Sequence, residues 1–155
     1  MQMHLTVALL LPLLHVATAK QPHIAFFLTD DLGYNSPGFH NEELNTPHLD
    51  ALHADGVELL DHHVYRYCAP TRSSFLSGRL PYKLEATRAN LNPAQLAAGL
   101  HLSYATIGDK LHSAGYSTHQ FGKWHAGFFV KEHTPKYRGF NSSFGFLTGG
   151  EVQIT

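Results

Sequence analysis

The run Cys68-Ala69-Pro70-Thr71-Arg72-Ser73-Ser74-Phe75-Leu76-Ser77-Gly78-Arg79 constrains the fold more than any other stretch of the chain. Pro70 suits the first turn of a helix, where its missing N–H is not needed. Phe75 and Leu76 supply apolar anchors, and Gly78 supplies a stop. The spacing therefore predicts a helix that carries the chain's single cysteine at its N-terminus. There the helix dipole and the free N–H groups favour negative charge. Arg72, one turn on, points back at the same spot. A lone cysteine forms no internal disulfide, so Cys68 is either a small buried residue or a group with chemistry of its own.

The segments before this helix alternate in character. Ile24-Ala25-Phe26-Phe27-Leu28 is a continuous apolar run, the pattern of a strand over 23–29 buried on both faces. It ends at Asp30-Asp31-Leu32-Gly33-Tyr34, which puts two carboxylates where open α/β sheets place their sites; a solvated turn explains the same residues equally well. Thr46 to Gly56 reads as a helix capped by Thr46, with Pro47 first, Leu49 and Leu52 on its apolar face and Gly56 as its close. Val57 to Leu60 restarts as a strand, and 62–67 leads into Cys68. The order strand, helix, strand, helix is that of an α/β sheet.

Beyond the cysteine helix, residues 80–102 are broken by Pro81, Pro93 and Gly99 and read as a surface excursion. Ser103 is placed to cap a further helix, with Ile107 and Leu111 inward and Gly115 at its end. Residues 116–121 form a strand pattern that ends in Gly122-Lys123-Trp124-His125. Lys123 and His125 are ordinary surface residues when taken singly. At the end of a strand in such a sheet they join Asp30, Asp31 and Cys68 as candidates for one site.

The ends and the charge add context. Residues 1–19 read as a secretory signal, with an apolar core from Leu5 to Val16 and a small-x-small cleavage pattern at Ala17-Thr18-Ala19. The mature segment would be 20–155, and no later run is apolar enough to span a membrane. Eleven basic residues against 12 acidic ones give nucleic-acid binding no electrostatic support. Thirteen histidines would make the chain more positive in an acidic compartment. Asn141-Ser142-Ser143 is an acceptor sequence for N-glycosylation.

The C-x-P-x-R run with its Leu76-Ser77-Gly78-Arg79 tail resembles the signature of the sulfatase family. So do Asp30-Asp31-Leu32-Gly33-Tyr34, Thr46-Pro47-His48-Leu49-Asp50, Gly115-Tyr116-x-Thr118, Gly122-Lys123-Trp124-His125 and Arg138-Gly139-Phe140, in that order along 22–150. The likeness is greatest to arylsulfatases of the B (N-acetylgalactosamine-4-sulfatase) type. It implies an alkaline-phosphatase-like α/β sandwich whose mainly parallel or mixed sheet is flanked by helices and is incomplete in this chain. It also implies hydrolysis of sulfate monoesters on small molecules or glycans, in the lysosome or outside the cell.

The same resemblance assigns roles. Cys68 would be converted to formylglycine by the formylglycine-generating enzyme and would become the nucleophile. Asp30 and Asp31, with the converted Cys68, would bind Ca²⁺ through hard oxygen ligands. Arg72 would steady the nucleophile, Lys123 would hold the sulfate, and His125 would hydrogen-bond either of them. Three cationic groups suit a sulfate ester, whose equatorial oxygens carry negative charge in the transition state.

The chain departs from the family pattern at three positions: Ser77 for Thr, Phe121 for a smaller residue, and His133 where B-type chains carry a disulfide cysteine. The family's later Asp-Asn metal ligands and its second His and Lys lie beyond Thr155, so the expectation is a half-built site. Two other readings remain: a secreted fragment without activity, and a Cys68–His125 thiol hydrolase, which would leave Asp30, Asp31 and Arg72 without a task.

Overall fold

The computed structural model describes residues 21–84 and 99–150. The expected signal and the middle of the surface excursion lie outside the described residues. The chain divides into two units, Met1–Leu32 and Gly33–Thr155.

In the first unit, residues 23–29 are irregular chain, so the strand expected there is not formed. Ile24, Phe26 and Phe27 are 58, 58 and 83% exposed. A run that is apolar on both faces becomes a buried strand only where other elements cover both faces. Asp30 and Asp31 are exposed, and Asp31 has a left-handed φ of 54°.

The second unit begins with a single 3-10 turn, Gly38–His40, and then α1, Pro47–Asp55. Pro47 opens α1 as its spacing requires, yet the Thr46 hydroxyl does not cap it. That hydroxyl instead donates to Asp50 Oδ1 at 2.8 Å and accepts from the Gly38 amide at 2.6 Å. Asp50 also accepts from the Phe39 amide, so the start of α1 is tied to the turn before it. Leu49 and Leu52 are exposed rather than inward. Residues 57–60 form no strand and are open to solvent, a second correction to the predicted alternation.

Helix α2 spans Cys68–Ser77 and ends on Gly78 with φ 64°, the left-handed cap that glycine adopts without strain. Leu76 faces inward beside Leu84, Leu100, Trp124 and Ala126, and Phe75, Tyr104, Phe140 and Leu147 pack around this cluster. Helix α3, Ile107–Ser113, packs against α2. Its cap is Thr106, not Ser103: Thr106 accepts from the Asp109 amide while Asp109 accepts from the Thr106 amide, a reciprocal capping box. The cap moved because the Thr106 hydroxyl also reaches the Arg138 carbonyl at 2.7 Å, a contact 32 residues away along the chain. Ile107 is exposed; the inward positions are Thr106 and Gly108.

The strand expected over 116–121 is present as β1, His119–Phe121, and it pairs in parallel with β2, Ser142–Phe144. Hydrogen bonds continue past the strands, from the Gly122, Trp124 and His125 amides to the Phe144, Phe146 and Leu147 carbonyls. Residues 122–125 are thereby held in line with 144–147.

Candidate active site

Cys68 is the first residue of α2 and is half-buried. Tyr67 enters the helix in extended conformation without a side-chain cap, and the Thr71 hydroxyl fixes that entry by donating to the Tyr65 carbonyl at 2.8 Å. Arg72 lies one turn beyond Cys68, on the same helix face. Its Nη1 donates to the Lys123 carbonyl at 2.5 Å across 51 residues of sequence. The cysteine helix is thus joined to the segment after β1, and the Gln120 side chain donates to the Gly122 carbonyl beside it.

Trp124 and His125 are buried, whereas Lys123 is half-buried. Trp124 anchors the segment: its indole N–H lies 3.0 Å from both the Gly127 and His133 carbonyls, and its ring meets Phe140 edge-on. His125 has a left-handed φ of 53°. A Cβ on Gly149 would lie 2.6 Å from the His125 ring, so the bare backbone at 149 is what allows the ring its position. Among the described residues Asp31 and His125 are the two non-glycine residues with positive φ, and both are site candidates from the sequence. Residues held in such conformations concentrate at functional sites.

The remaining shared motifs build the frame. Arg138 is only 4% exposed and donates to the carbonyls of Tyr104, Leu102 and His101. Burial lowers its pKa from the usual guanidinium value, and nearby Asp109 partly offsets this. Thr118 donates to the Gly139 carbonyl at 2.6 Å and to Asn141 Oδ1 at 2.9 Å. Ser77, in place of the usual Thr, donates back to the Ser73 carbonyl within α2. Sequence reasoning did not single out Thr106 or Thr118 as joints; lone hydroxyls carry no local signal for partners more than 20 residues away.

The residues of this chain match the sulfatase family model over 22–154. The chain belongs to the sulfatase family. It is 42% identical to mouse arylsulfatase J over 133 residues, covering 86% of this chain and 22% of that protein. Human arylsulfatase A is 35% identical, with 84% of this chain and 26% of that protein covered. An arylsulfatase of Klebsiella aerogenes is 31% identical, with 88% and 30% covered.

This sulfatase chain therefore spans about a quarter of the length of these relatives, 22% of arylsulfatase J and 26% of arylsulfatase A. Its fold is that of the crystal structure of Ps i-CgsB, with a TM-score of 0.73 and 34% identity over 79% of this chain and 27% of that one. The same protein in complex with k-i-k-neocarrahexaose matches with a TM-score of 0.71. The α/β, alkaline-phosphatase-like class read from the sequence stands on this likeness.

Proposed function

We propose that this chain is the nucleophile-bearing part of a sulfuric ester hydrolase that acts on sulfate monoesters, with Cys68 as the precursor of the nucleophile. The observation that carries the proposal is the Arg72–Lys123 joint, which ties the cysteine helix to the Lys123–His125 segment in a chain of the sulfatase family. Conversion of Cys68 to formylglycine supplies a hydrated aldehyde with one hydroxyl to attack sulfur and a second whose deprotonation later expels sulfate. Arg72, fixed by the Lys123 carbonyl, keeps a positive charge between α2 and the Lys123–His125 segment. Lys123 offers an ammonium to the sulfate oxygens, and His125 a ring nitrogen to the nucleophile or the ester.

Calcium fits only in part. Among the described residues no three His, Cys, Asp or Glu side chains are grouped to hold a metal ion. Asp30 and Asp31 offer fewer oxygens than the roughly six to eight that Ca²⁺ takes. In this proposal they contribute, with converted Cys68, a share of the ligand set, and no chemical step depends on the ion.

The substrate class is a sulfated small molecule or glycan, and the glycan-bound neighbour supports the latter. The route is secretory, lysosomal or extracellular, through the signal at 1–19 and the formylglycine-generating enzyme. Among the described residues no helix is long and apolar enough to cross a membrane. Asn141 is exposed, and its Oδ1 accepts from the Thr118 amide and hydroxyl, which leaves the amide nitrogen as the group to carry a glycan. A second reading is a secreted fragment of a sulfatase that is modified at Cys68 but catalytically inactive.

The test is secretion of the chain from cells that contain the modifying enzyme. The peptide containing residue 68 is expected to be lighter, to react with hydrazides and to resist thiol alkylation. C68A should abolish that reactivity and R72A should reduce it. An alkylatable thiol as the sole species at position 68 would overturn the proposal. An aldehyde without hydrolysis of an aryl sulfate would favour the second reading.

A further inference from the structure

Outside the candidate site, the described residues bring two imidazoles onto one carboxylate. His40 Nε2 lies 2.7 Å from Glu58 Oε1, and His53 Nε2 lies 3.0 Å from Glu58 Oε2. His40 Nδ1 in turn lies 2.8 Å from the Tyr34 carbonyl oxygen. A carbonyl oxygen and an ionised carboxylate only accept hydrogen bonds, and a neutral imidazole donates from one nitrogen alone. Both His40 contacts can therefore exist together only in the imidazolium form. His53 has a single acceptor contact, and its ring stacks on Phe39 at 4.2 Å, so a neutral tautomer satisfies it.

We infer that His40, Glu58 and His53 form an acid-set clasp, which ties the turn at 38–40 to α1 and to the chain beyond it while His40 is protonated on both nitrogens and loosens when one proton leaves. The titratable or charged groups facing His40 are Glu58, from the chain after α1, and His53, from α1. The Tyr34 ring is stacked on it at 3.9 Å. Asp50, also on α1, is turned to the Phe39 amide and the Thr46 hydroxyl.

The other end of the window is set by Glu58. Its hydrogen bonds to His53 and then to His40 hold its carboxyl below the ordinary 4.5. A depressed carboxyl contributes stability that is present above 4.5 and lost as pH falls through its lowered value. Contact with the carboxylate thus survives into acid, and the clasp fails at its other end wherever either His40 nitrogen lacks the proton that its acceptor requires.

Amide hydrogen exchange on the full chain, corrected for the intrinsic effect of pH, tests this. The His40 and Asn41 amides, bonded to the Pro37 and Gly38 carbonyls, report the turn. Their protection should fall about fivefold between about pH 5 and about pH 8. E58Q should flatten this dependence, because its side-chain amide can donate to a neutral ring. H53Q should leave the dependence in place. Protection that is flat with pH in the wild type, or flattened by H53Q and not by E58Q, would overturn the inference. Should E58Q fail to fold, the ring-nitrogen NMR signals of wild-type His40 decide: two protonated nitrogens at about pH 6 support the clasp, and one overturns it.

Discussion

Residues 33–58 and 99–150 both join segments distant in sequence, but they use different bonds to do so. In 33–58 the joints are side chains that water and protons reach: Glu58 between two imidazoles, Asp50 on a backbone amide, rings stacked at the surface. In 99–150 the joints are buried, and most of their acceptors are backbone carbonyls: Arg138 on three of them, Thr106 on the Arg138 carbonyl, Thr118 on the Gly139 carbonyl. A carbonyl does not titrate, and a guanidinium keeps its charge across the physiological range. The joints of the first stretch can therefore respond to pH, while the carbonyl-accepting joints of the second, which frame Lys123, Trp124 and His125, do not themselves titrate.

The largest expected effect lies in the buried stretch. Gly139 has φ 82°, and a Cβ there would lie 2.0 Å from the Asp109 amide nitrogen at the start of α3. G139A should therefore cost about 4 kcal/mol or more, or abolish folding, because backbone cannot yield as a side-chain tip can. Denaturant unfolding of the purified chain checks it. A loss below about 1 kcal/mol would mean that α3 and the 138–140 turn are not in contact as described.

A smaller loss is expected in the exposed stretch. D50A removes the acceptor for the Phe39 amide and the Thr46 hydroxyl, both of which solvent can partly replace. The expected cost is about 1 kcal/mol, with the hydrogen-exchange change confined to 38–50. Global unfolding in D50A would erase the distinction between the two stretches.

The smallest effect concerns His133, a titrating group within the buried stretch. His133 packs against Gly99 and Gly127, and its Nδ1 is buried without a hydrogen-bond partner. Burial, and then the charge of Arg138, lower its pKa from 6.5. The unfolded chain then binds the proton more readily, so this contribution is full above 6.5 and declines as pH falls through 6.5 toward the lowered value. H133Q should make the stability of the chain less sensitive to pH in that window while leaving the His40 and Asn41 amides unchanged. An unaltered slope in thermal melts between about pH 7 and about pH 5 would remove His133 as its source.

Local rules determined a good deal by themselves. Pro47, the Cys68–Gly78 run and the glycines at 78 and 115 specify where helices start or stop, because caps and left-handed glycines act within a turn of the chain. The family motifs likewise reside in contiguous residues. Tertiary structure decided the rest. The apolar runs at 24–28 and 57–60 do not become strands on their own hydrophobicity, since a strand depends on ladder partners and covering layers that its own residues do not encode. Thr106 displaced Ser103 as a cap because its hydroxyl has a second partner at Arg138. The pairing of β1 with β2 and the contact of Arg72 with Lys123 span 23 and 51 residues, and the clasp closes on Glu58 from 18 residues away. No periodicity within one segment encodes which distant carbonyl or carboxylate it will meet; that is fixed only when the chain packs and each buried donor must find an acceptor.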